Sequence, residues 1–214
     1  MAVRITGYGP SVYTWIARLA LTWRGVPFDY TEADPFADPP PEMLLALHPF
    51  GRVPVLQHDG FILYETRAIL HYIARAFPGP PLIPDDPQAA ARMEQIIGIT
   101  DAYAYWPLVR QVYSQAVFAP AHGREPDPAI IAQGLAAATR VLSALEPLAD
   151  RDGPNLLGAD PTLADLHLTP ILDYFAQAAE GANALAACPN LHRFLAHWHA
   201  QPVFRQTRPL LLPG

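Results

Sequence analysis

A proline between two β-branched residues constrains the fold of this chain more than any other short segment. It lies in the run H-P-F-G-R-V-P-V-L, residues 48–56. Val53 and Val55 favour a strand, but Pro54 has no backbone N–H and is therefore confined to a sheet edge or to the start of a strand. The neighbouring backbone of Val53 is then free to pair with an extended peptide, main chain to main chain. The segment predicts a peptide-binding edge, although an ordinary edge strand would show the same pattern.

A second motif, Y-E-T-R-A-I at residues 64–69, follows shortly after this edge. We predict that a helix begins at Glu65–Thr66. The first N–H groups of a helix have no partner within it, so together with the Thr66 hydroxyl they suit a carboxylate. The Glu65 side chain suits an ammonium group. An ordinary capped helix explains this motif alone, but not its order and spacing after the first.

Together the two motifs resemble the glutathione site of the cytosolic glutathione transferases, in which N-P-x-G-x-V-P-x-L is followed by E-S-x-A-I. His48 replaces the usual Asn, and Thr66 replaces the usual Ser. The resemblance runs along the whole chain and is strongest over residues 48–75. It implies an α/β thioredoxin-like N-terminal domain followed by an all-α C-terminal domain.

Hydrophobic periodicity predicts the same order of elements. The predicted strands cover residues 3–8, 26–30, 53–57 and 61–64, and the predicted helices between and after them cover 11–24, 42–47 and 66–77. The expected domains are a glutathione-binding domain over 1–78, a Pro-rich linker over 79–87 and a helical domain over 88–214. Within the helical domain, the predicted helices cover residues 88–118, 129–148, 162–179 and 191–201. Thr162 with Asp165 three residues later predicts a capping box.

Composition excludes several other classes of protein. The net charge of −6 argues against nucleic acid as a partner. We found no uninterrupted apolar stretch long enough for a bilayer and no signal peptide, so we expect no membrane association and a cytoplasmic location. Cys188 is the only cysteine, which excludes an internal disulfide. The histidines lack metal-ligand spacing, so we expect no metal and no permanently bound cofactor, with glutathione acting as a co-substrate.

The chemistry implied by the resemblance is deprotonation of the glutathione thiol. Lowering a thiol pKa by about two units requires about 2.7 kcal/mol of preference for the anion. One hydroxyl donating to the sulfur supplies about 1.5 to 3 kcal/mol, and a helix N-terminus about 0.3 to 1. Ser11 matches the catalytic serine of the phi and zeta classes. Tyr13 and Tyr8 are rivals, because a small change in loop length would bring either hydroxyl to the sulfur. Ser11 is otherwise a plain helix cap.

The resemblance also assigns the remaining contacts. Glutathione would meet Arg52 at its glycyl carboxylate, Val53 and Pro54 along its main chain, Glu65 and Thr66 at its γ-glutamyl end, and Asp101 from the partner subunit of a homodimer. Phe50 matches an aromatic side chain that family members insert into the partner. An exposed helical Asp101 with no such role is an equally good interpretation.

Four residues recur at three- and four-residue spacing after the linker, which on an α-helix would place them on one face. They are Tyr103, Trp106, Arg110 and Tyr113. We predict that they line the pocket for a second substrate, with a helical core face as the alternative. The predicted activity is transfer of glutathione to a small hydrophobic electrophile. The alternatives are a carrier or protein-interaction module that does not conjugate, and a glutathione-dependent isomerase or peroxidase on the same site.

Overall fold

The computed structural model describes residues 2–210 and divides the chain into two compact units. The first contains the chain up to Pro80 together with Pro202–Leu210, and the second contains Pro81–Gln201. The helical domain was expected to include everything from residue 88 onward. Residues 202–210 instead belong to the first unit.

Buried aromatic contacts explain why the C-terminal segment belongs to the first unit. The indole N–H of Trp15 donates to Thr207 Oγ1 at 3.0 Å, and the rings of Trp15 and Phe204 lie 4.9 Å apart, centroid to centroid. All three side chains are buried. The segment therefore completes the core around the first helix.

The first unit is built on a four-stranded sheet in the order β2-β1-β3-β4. Its strands are β1 Val3–Gly7, β2 Asp29–Glu32, β3 Val55–His58 and β4 Phe61–Tyr64. β2 runs parallel to β1, whereas β3 is antiparallel to both β1 and β4. The helices are α1 Val12–Trp23, α2 Glu42–Leu47 and α3 Thr66–Ala76. This element order confirms the predicted thioredoxin-like fold.

Two predicted strands begin later than expected, each for a local reason. The prediction of 26–30 for β2 was wrong at its start because Val26 still belongs to the cap of α1: its N–H donates to the Leu21 carbonyl, after Gly25 at φ +64°. The prediction of 53–57 for β3 was also too early. The ladder begins at Val55, because Pro54 has no N–H to donate.

The second unit is helical. Its longer helices are α4 Pro87–Ile99, a π-helix Thr100–Phe118, α6 Pro128–Leu145, α7 Leu163–Ala176, α8 Ala179–Ala186 and α9 Pro189–Ala200. Single turns occur at α5 Ala119–Ala121 and at the 3₁₀ turn Glu146–Leu148, and α10 Pro202–Thr207 lies in the first unit. The helix predicted over 88–118 thus changes type midway.

The helix predicted over 162–179 is in fact two helices. α7 ends at Ala176, and α8 starts at Ala179. The second helix turns back closely on the first, since a Cβ built on Gly181 would lie 2.0 Å from the Phe175 carbonyl oxygen. Periodicity alone does not detect a break made by such a close backbone approach.

The predicted capping box at the start of α7 is present. The Asp165 carboxylate accepts the Thr162 backbone N–H at 2.6 Å and the Thr162 hydroxyl at 2.7 Å. Both residues are buried. The first turn of the most buried helix is therefore closed by two adjacent side chains.

Replacing Thr162 by alanine tests this cap. We expect Thr162→Ala to lower the free energy of unfolding by about 1 kcal/mol, because the cap hydroxyl is lost. Urea unfolding measures the change. Thr162→Ser is the matched control and should retain most of the stability, and an equal loss in both variants would assign the effect to the Thr162 methyl group instead.

One described helical segment, Pro128–Leu148, is long and apolar enough by length and composition to cross a membrane. The chain was expected to contain no stretch of that kind. Within the second unit, α6 packs against the π-helix and buries one side of small and aliphatic residues: Gly134, Ala138, Val141, Leu142 and Leu145. A packed helix with such a buried side meets the same length and composition criteria as a membrane span.

Candidate active site

The site forms where three strands of the first unit meet at one end of the sheet. Thr6 at the end of β1 pairs with Val55 at the start of β3. Val55 in turn pairs with Tyr64 at the end of β4. The segments that follow β1, precede β3 and follow β4 are therefore neighbours. These segments carry both sequence motifs and the predicted thiol-activating hydroxyl.

The loop after β1 is held at several points. Ser11 donates its backbone N–H to the Tyr8 carbonyl at 2.9 Å, closing a turn. The Tyr8 N–H donates to Thr14 Oγ1 at 3.2 Å, and the Gly9 N–H donates to Glu32 Oε1 at 2.9 Å. Side chains from α1 and β2 thus fix the backbone of the loop that presents Ser11.

Ser11 is the N-cap of α1. A plain helix cap was the alternative role predicted for this residue. Its Oγ accepts the Thr14 N–H at 3.3 Å. A serine hydroxyl that accepts one hydrogen bond still has its own proton to donate, and among the described residues the Ser11 proton has no acceptor. Capping and donation to a bound sulfur are therefore compatible.

The two rival hydroxyls lie on either side of Ser11. Tyr13 is half-buried in the first turn of α1. Tyr8 is also half-buried, and its ring meets Phe36 edge to face at a centroid distance of 6.0 Å. Ser11 differs from both in lying at the helix cap itself, where the partial positive charge of the helix is concentrated.

The predicted peptide-binding segment lies just before β3, which is an inner strand of the sheet between β1 and β4, so Pro54 lies at a strand start and not at a sheet edge. The Val53–Pro54 peptide bond is cis. The half-buried Val53 packs, with Tyr64, against the buried side chains of Ala33, Leu44 and Val55. Its main chain lies outside the ladder, and within residues 2–210 it makes no backbone hydrogen bond. The Val53 backbone is thus available for an extended ligand.

The start of α3 has an uncommon backbone. Glu65 is its N-cap, with φ +70° and ψ 111°, and the Glu65 side chain makes no capping hydrogen bond. A non-glycine residue at such dihedral angles costs about 1 to 3 kcal/mol and often marks a functional site. Thr66 follows at 8% exposure, whereas the Glu65 and Arg52 side chains are exposed. Among residues 2–210 the Thr66 backbone N–H has no hydrogen-bond acceptor, which leaves it to an external acceptor.

In the second unit, the four residues predicted to share one face do not do so. The side chain of Tyr113 is 5% exposed and stacks on Tyr174 with centroids 4.2 Å apart. Trp106 is 60% exposed, Tyr103 is 66% exposed, and Arg110 is intermediate. The cause is the π-helix: its i→i+5 bonds place residues four and five apart on one side, not residues three and four apart.

Asp101 and Phe50 were predicted to contact a partner subunit. Asp101 Oδ1 lies 2.7 Å from Nε2 of His167, a fully buried residue of the same chain. Phe50 is 72% exposed. The structure thus orients Asp101 through a buried imidazole and leaves Phe50 open to solvent.

Two residues of the site were missed from the sequence. Glu32 holds the Gly9 N–H, and His48 is buried beside Tyr64 with its Nδ1 accepting the Phe50 N–H at 3.1 Å. His48 was noted only as a substitution in the motif. Glu32 carries no motif, and its role follows from the pairing of Gly7 with Glu32 in the sheet. Within residues 2–210, no group of histidine, cysteine or acidic side chains is arranged to hold a metal ion.

Comparison with known families identifies the family of this chain. The model of the glutathione S-transferase N-terminal domain matches residues 6–81, and the model of the glutathione S-transferase C-terminal domain matches residues 128–197. The two matches cover most of the chain and coincide with the sheet-containing and helical parts. The chain belongs to the glutathione S-transferase family, which confirms the family predicted from the two motifs.

Individual relatives extend the comparison. The chain is 33% identical over 169 residues to glutathione S-transferase hmp2 of Hypomyces subiculosus, covering 76% of this chain and 78% of the relative. It is 29% identical over 219 residues to maleylacetoacetate isomerase of Pseudomonas aeruginosa, covering 99% and 98%. A solved structure of glutathione S-transferase III in its apo form superposes with a TM-score of 0.85 at 27% identity, covering 100% of both chains.

Proposed function

We propose that this chain is a glutathione transferase that binds glutathione on its first unit, ionises the thiol and directs it at a small hydrophobic electrophile. The observation that carries this proposal is the start of α3. There the strained Glu65 backbone forms the cap without a side-chain hydrogen bond, and the Thr66 backbone N–H and hydroxyl have no hydrogen-bond acceptor among residues 2–210. A γ-glutamyl carboxylate fits these donors, and the Glu65 carboxylate fits the adjacent ammonium.

The main chain of the tripeptide extends along Val53. A peptide there exchanges backbone hydrogen bonds with a residue outside the ladder, as in strand addition to a sheet edge. Arg52, which is exposed beside Val53, presents a guanidinium suited to the glycyl carboxylate. Both ends and the middle of glutathione thus have partners from the same end of the sheet.

The thiol lies toward Ser11 at the N-terminus of α1. A hydroxyl bond to the thiolate and the helix terminus together supply the roughly 2.7 kcal/mol needed to lower the thiol pKa by about two units. Ser11 supplies this bond in the proposal, with Tyr13 and Tyr8 as the residues to be compared with it.

Binding is tested by titrating the protein with S-methylglutathione, which keeps the peptide but has no ionisable thiol. We expect Thr66→Val to weaken binding about five- to tenfold, because the hydroxyl donor to the carboxylate is lost while the side-chain shape is kept. Thr139→Val, at an exposed position on α6, is the matched control. Unchanged binding in Thr66→Val would remove α3 from the glutathione site.

Activity is tested by measuring turnover of an aryl halide, an organic peroxide and a cis-enone side by side. Conjugation of the aryl halide is the expected main activity. Glutathione-assisted isomerisation is the second candidate, favoured by the near full-length similarity to a maleylacetoacetate isomerase. Bound glutathione without thiolate absorbance near neutral pH, and with none of the three turnovers, would identify a carrier and contradict the proposal.

A homodimer is part of the proposal. Phe50 exposes 72% of its surface, and it matches the aromatic side chain that members of the family insert into the partner subunit. In such a dimer Asp101, oriented by His167, would serve the partner's glutathione ammonium. We also propose a cytoplasmic location, because the chain belongs to the glutathione S-transferase family. Sedimentation of Phe50→Ser against wild type tests the dimer, with a monomeric variant as the expected result.

A further inference from the structure

His48 joins the two halves of the proposed glutathione site. It is 3% exposed, and its Nδ1 accepts the backbone N–H of Phe50 at 3.1 Å. Its ring lies 4.4 Å from that of Tyr64, centroid to centroid, at an angle of 34°. One side of the imidazole therefore holds the loop that leads to Arg52 and Val53. The other side lies on the residue immediately before Glu65.

The hydrogen bond to Phe50 requires a particular protonation state. Because Nδ1 is the acceptor, the neutral ring carries its proton on Nε2. A protonated imidazole has N–H groups on both nitrogens and has no lone pair for the Phe50 N–H. Protonation therefore replaces a hydrogen bond by two opposed donors inside a buried contact, and the loop has to move.

The surroundings of the ring favour the neutral form. Burial lowers the pKa of His48, the carboxylate of Glu65 raises it, and the guanidinium of Arg52 lowers it further. These two charged groups, one from each motif, act on the ring through their charge, and Tyr64 of β4 lies against the ring. Since the folded-state pKa lies below the ordinary value of 6.5, the neutral state predominates near pH 7 and is lost on acidification.

We propose that His48 is a positioning residue for glutathione: as a neutral acceptor it fixes the Phe50 loop, and with it Arg52 and Val53, against the strand end that carries Glu65 and Thr66. The inference rests on the proposed function, because it assigns His48 to that same site. Its consequence is that affinity for the tripeptide falls when the ring is protonated, independently of thiol ionisation.

The test measures binding of S-methylglutathione by calorimetry at about pH 7 and about pH 5.5, where the carboxylates of the ligand stay ionised and its ammonium stays protonated. The variants are His48→Asn and His48→Gln. Asparagine places its carbonyl oxygen near the position of Nδ1, whereas glutamine places its amide near Nε2. A residue needed only to fill space would be replaced better by the larger glutamine.

For wild type we expect weaker binding at the lower pH, by up to about tenfold as the His48 ring becomes protonated and its hydrogen bond is lost. His48→Asn should bind within about twofold of wild type at the higher pH and should lose most of the acid dependence, while His48→Gln should bind about tenfold more weakly at that pH. An unchanged acid dependence in His48→Asn would assign the titration to another group. Better binding by glutamine than by asparagine would assign His48 to packing alone. Either result overturns the inference.

A second measurement needs no substitution. Hydrogen exchange of the Phe50 amide in wild-type protein, followed by NMR, should speed up relative to the rate for the same amide in an unstructured peptide when the pH falls through the His48 transition. Constant relative protection would overturn the inference even where a variant fails to fold. Absence of S-methylglutathione binding by wild type at about pH 7 would instead contradict the proposed function itself, so the two failures are distinguishable.

Discussion

Ser11→Ala is expected to reduce turnover about 10- to 100-fold, the effect of losing one hydrogen bond of about 1.5 to 3 kcal/mol to a charged sulfur. The pKa of the bound thiol should rise correspondingly, which ultraviolet absorbance of the thiolate at increasing pH measures. Binding of S-methylglutathione should stay close to wild type, because the hydroxyl contacts the sulfur and not the peptide backbone.

The substitution also removes the N-cap of α1 and should cost about 1 kcal/mol of stability. Ser11→Asp separates the two effects: a carboxylate caps the helix but cannot donate to a thiolate at neutral pH, so stability should return without turnover. Ser11→Thr should restore both. If Ser11→Ala keeps full turnover while Tyr13→Phe or Tyr8→Phe loses it, the activating hydroxyl belongs to that tyrosine instead.

Stability should fall with rising pH because of Asp165, the capping-box carboxylate of α7. Burial raises the pKa of Asp165 from 3.8 to about 6, although hydrogen bonds from Thr162 and from the Leu156 N–H oppose the rise. Because the folded-state pKa is raised, the protonated Asp165 side chain stabilises the fold. This stabilisation is complete below about pH 3.8 and is lost by the time the pH passes about 6. The difference corresponds to about 3 kcal/mol.

Asp165→Asn isolates this contribution, because asparagine keeps a carbonyl acceptor for the Thr162 N–H but does not titrate. Urea unfolding of both proteins between about pH 4 and about pH 7 should show the wild type losing up to about 3 kcal/mol relative to the variant. Other ionisable groups change equally in both proteins and cancel. Parallel pH profiles would show that the buried carboxyl does not change charge in this interval.

The sequence predicted the fold and the placement of the two motifs because both depend on local chemistry. Pro54 excludes a ladder position, and the Glu65–Thr66 pair marks a helix start. The start of β2 was missed because the N–H of Val26 is used by a cap whose carbonyl partner, Leu21, lies five residues earlier. The sequence also did not predict that the helix over 100–118 is a π-helix. The spacing of aromatic residues such as Tyr103 and Tyr113 does not distinguish a π-helix from an α-helix.

Other parts of the site depend on contacts between distant segments. Glu32 reaches Gly9 only once the parallel pairing of β1 and β2 has set their register. The motif shows that His48 replaces an asparagine, but it does not show that the His48 ring packs against Tyr64, which lies 16 residues later at the end of β4. Such pairs have no signature in a single sequence, because neither member's residue type requires the other.

The return of residues 202–210 to the sheet-containing unit means that two separate stretches of the polypeptide build it. A fragment ending at Pro80 would lose the indole partner Thr207 and the ring of Phe204, and would leave Trp15 uncovered. Recombination that exchanges the helical half of one relative for another must therefore carry a segment 202–210 matched to the recipient's first helix. Exchange of these halves is constrained at two junctions, one after Pro80 and one before Pro202.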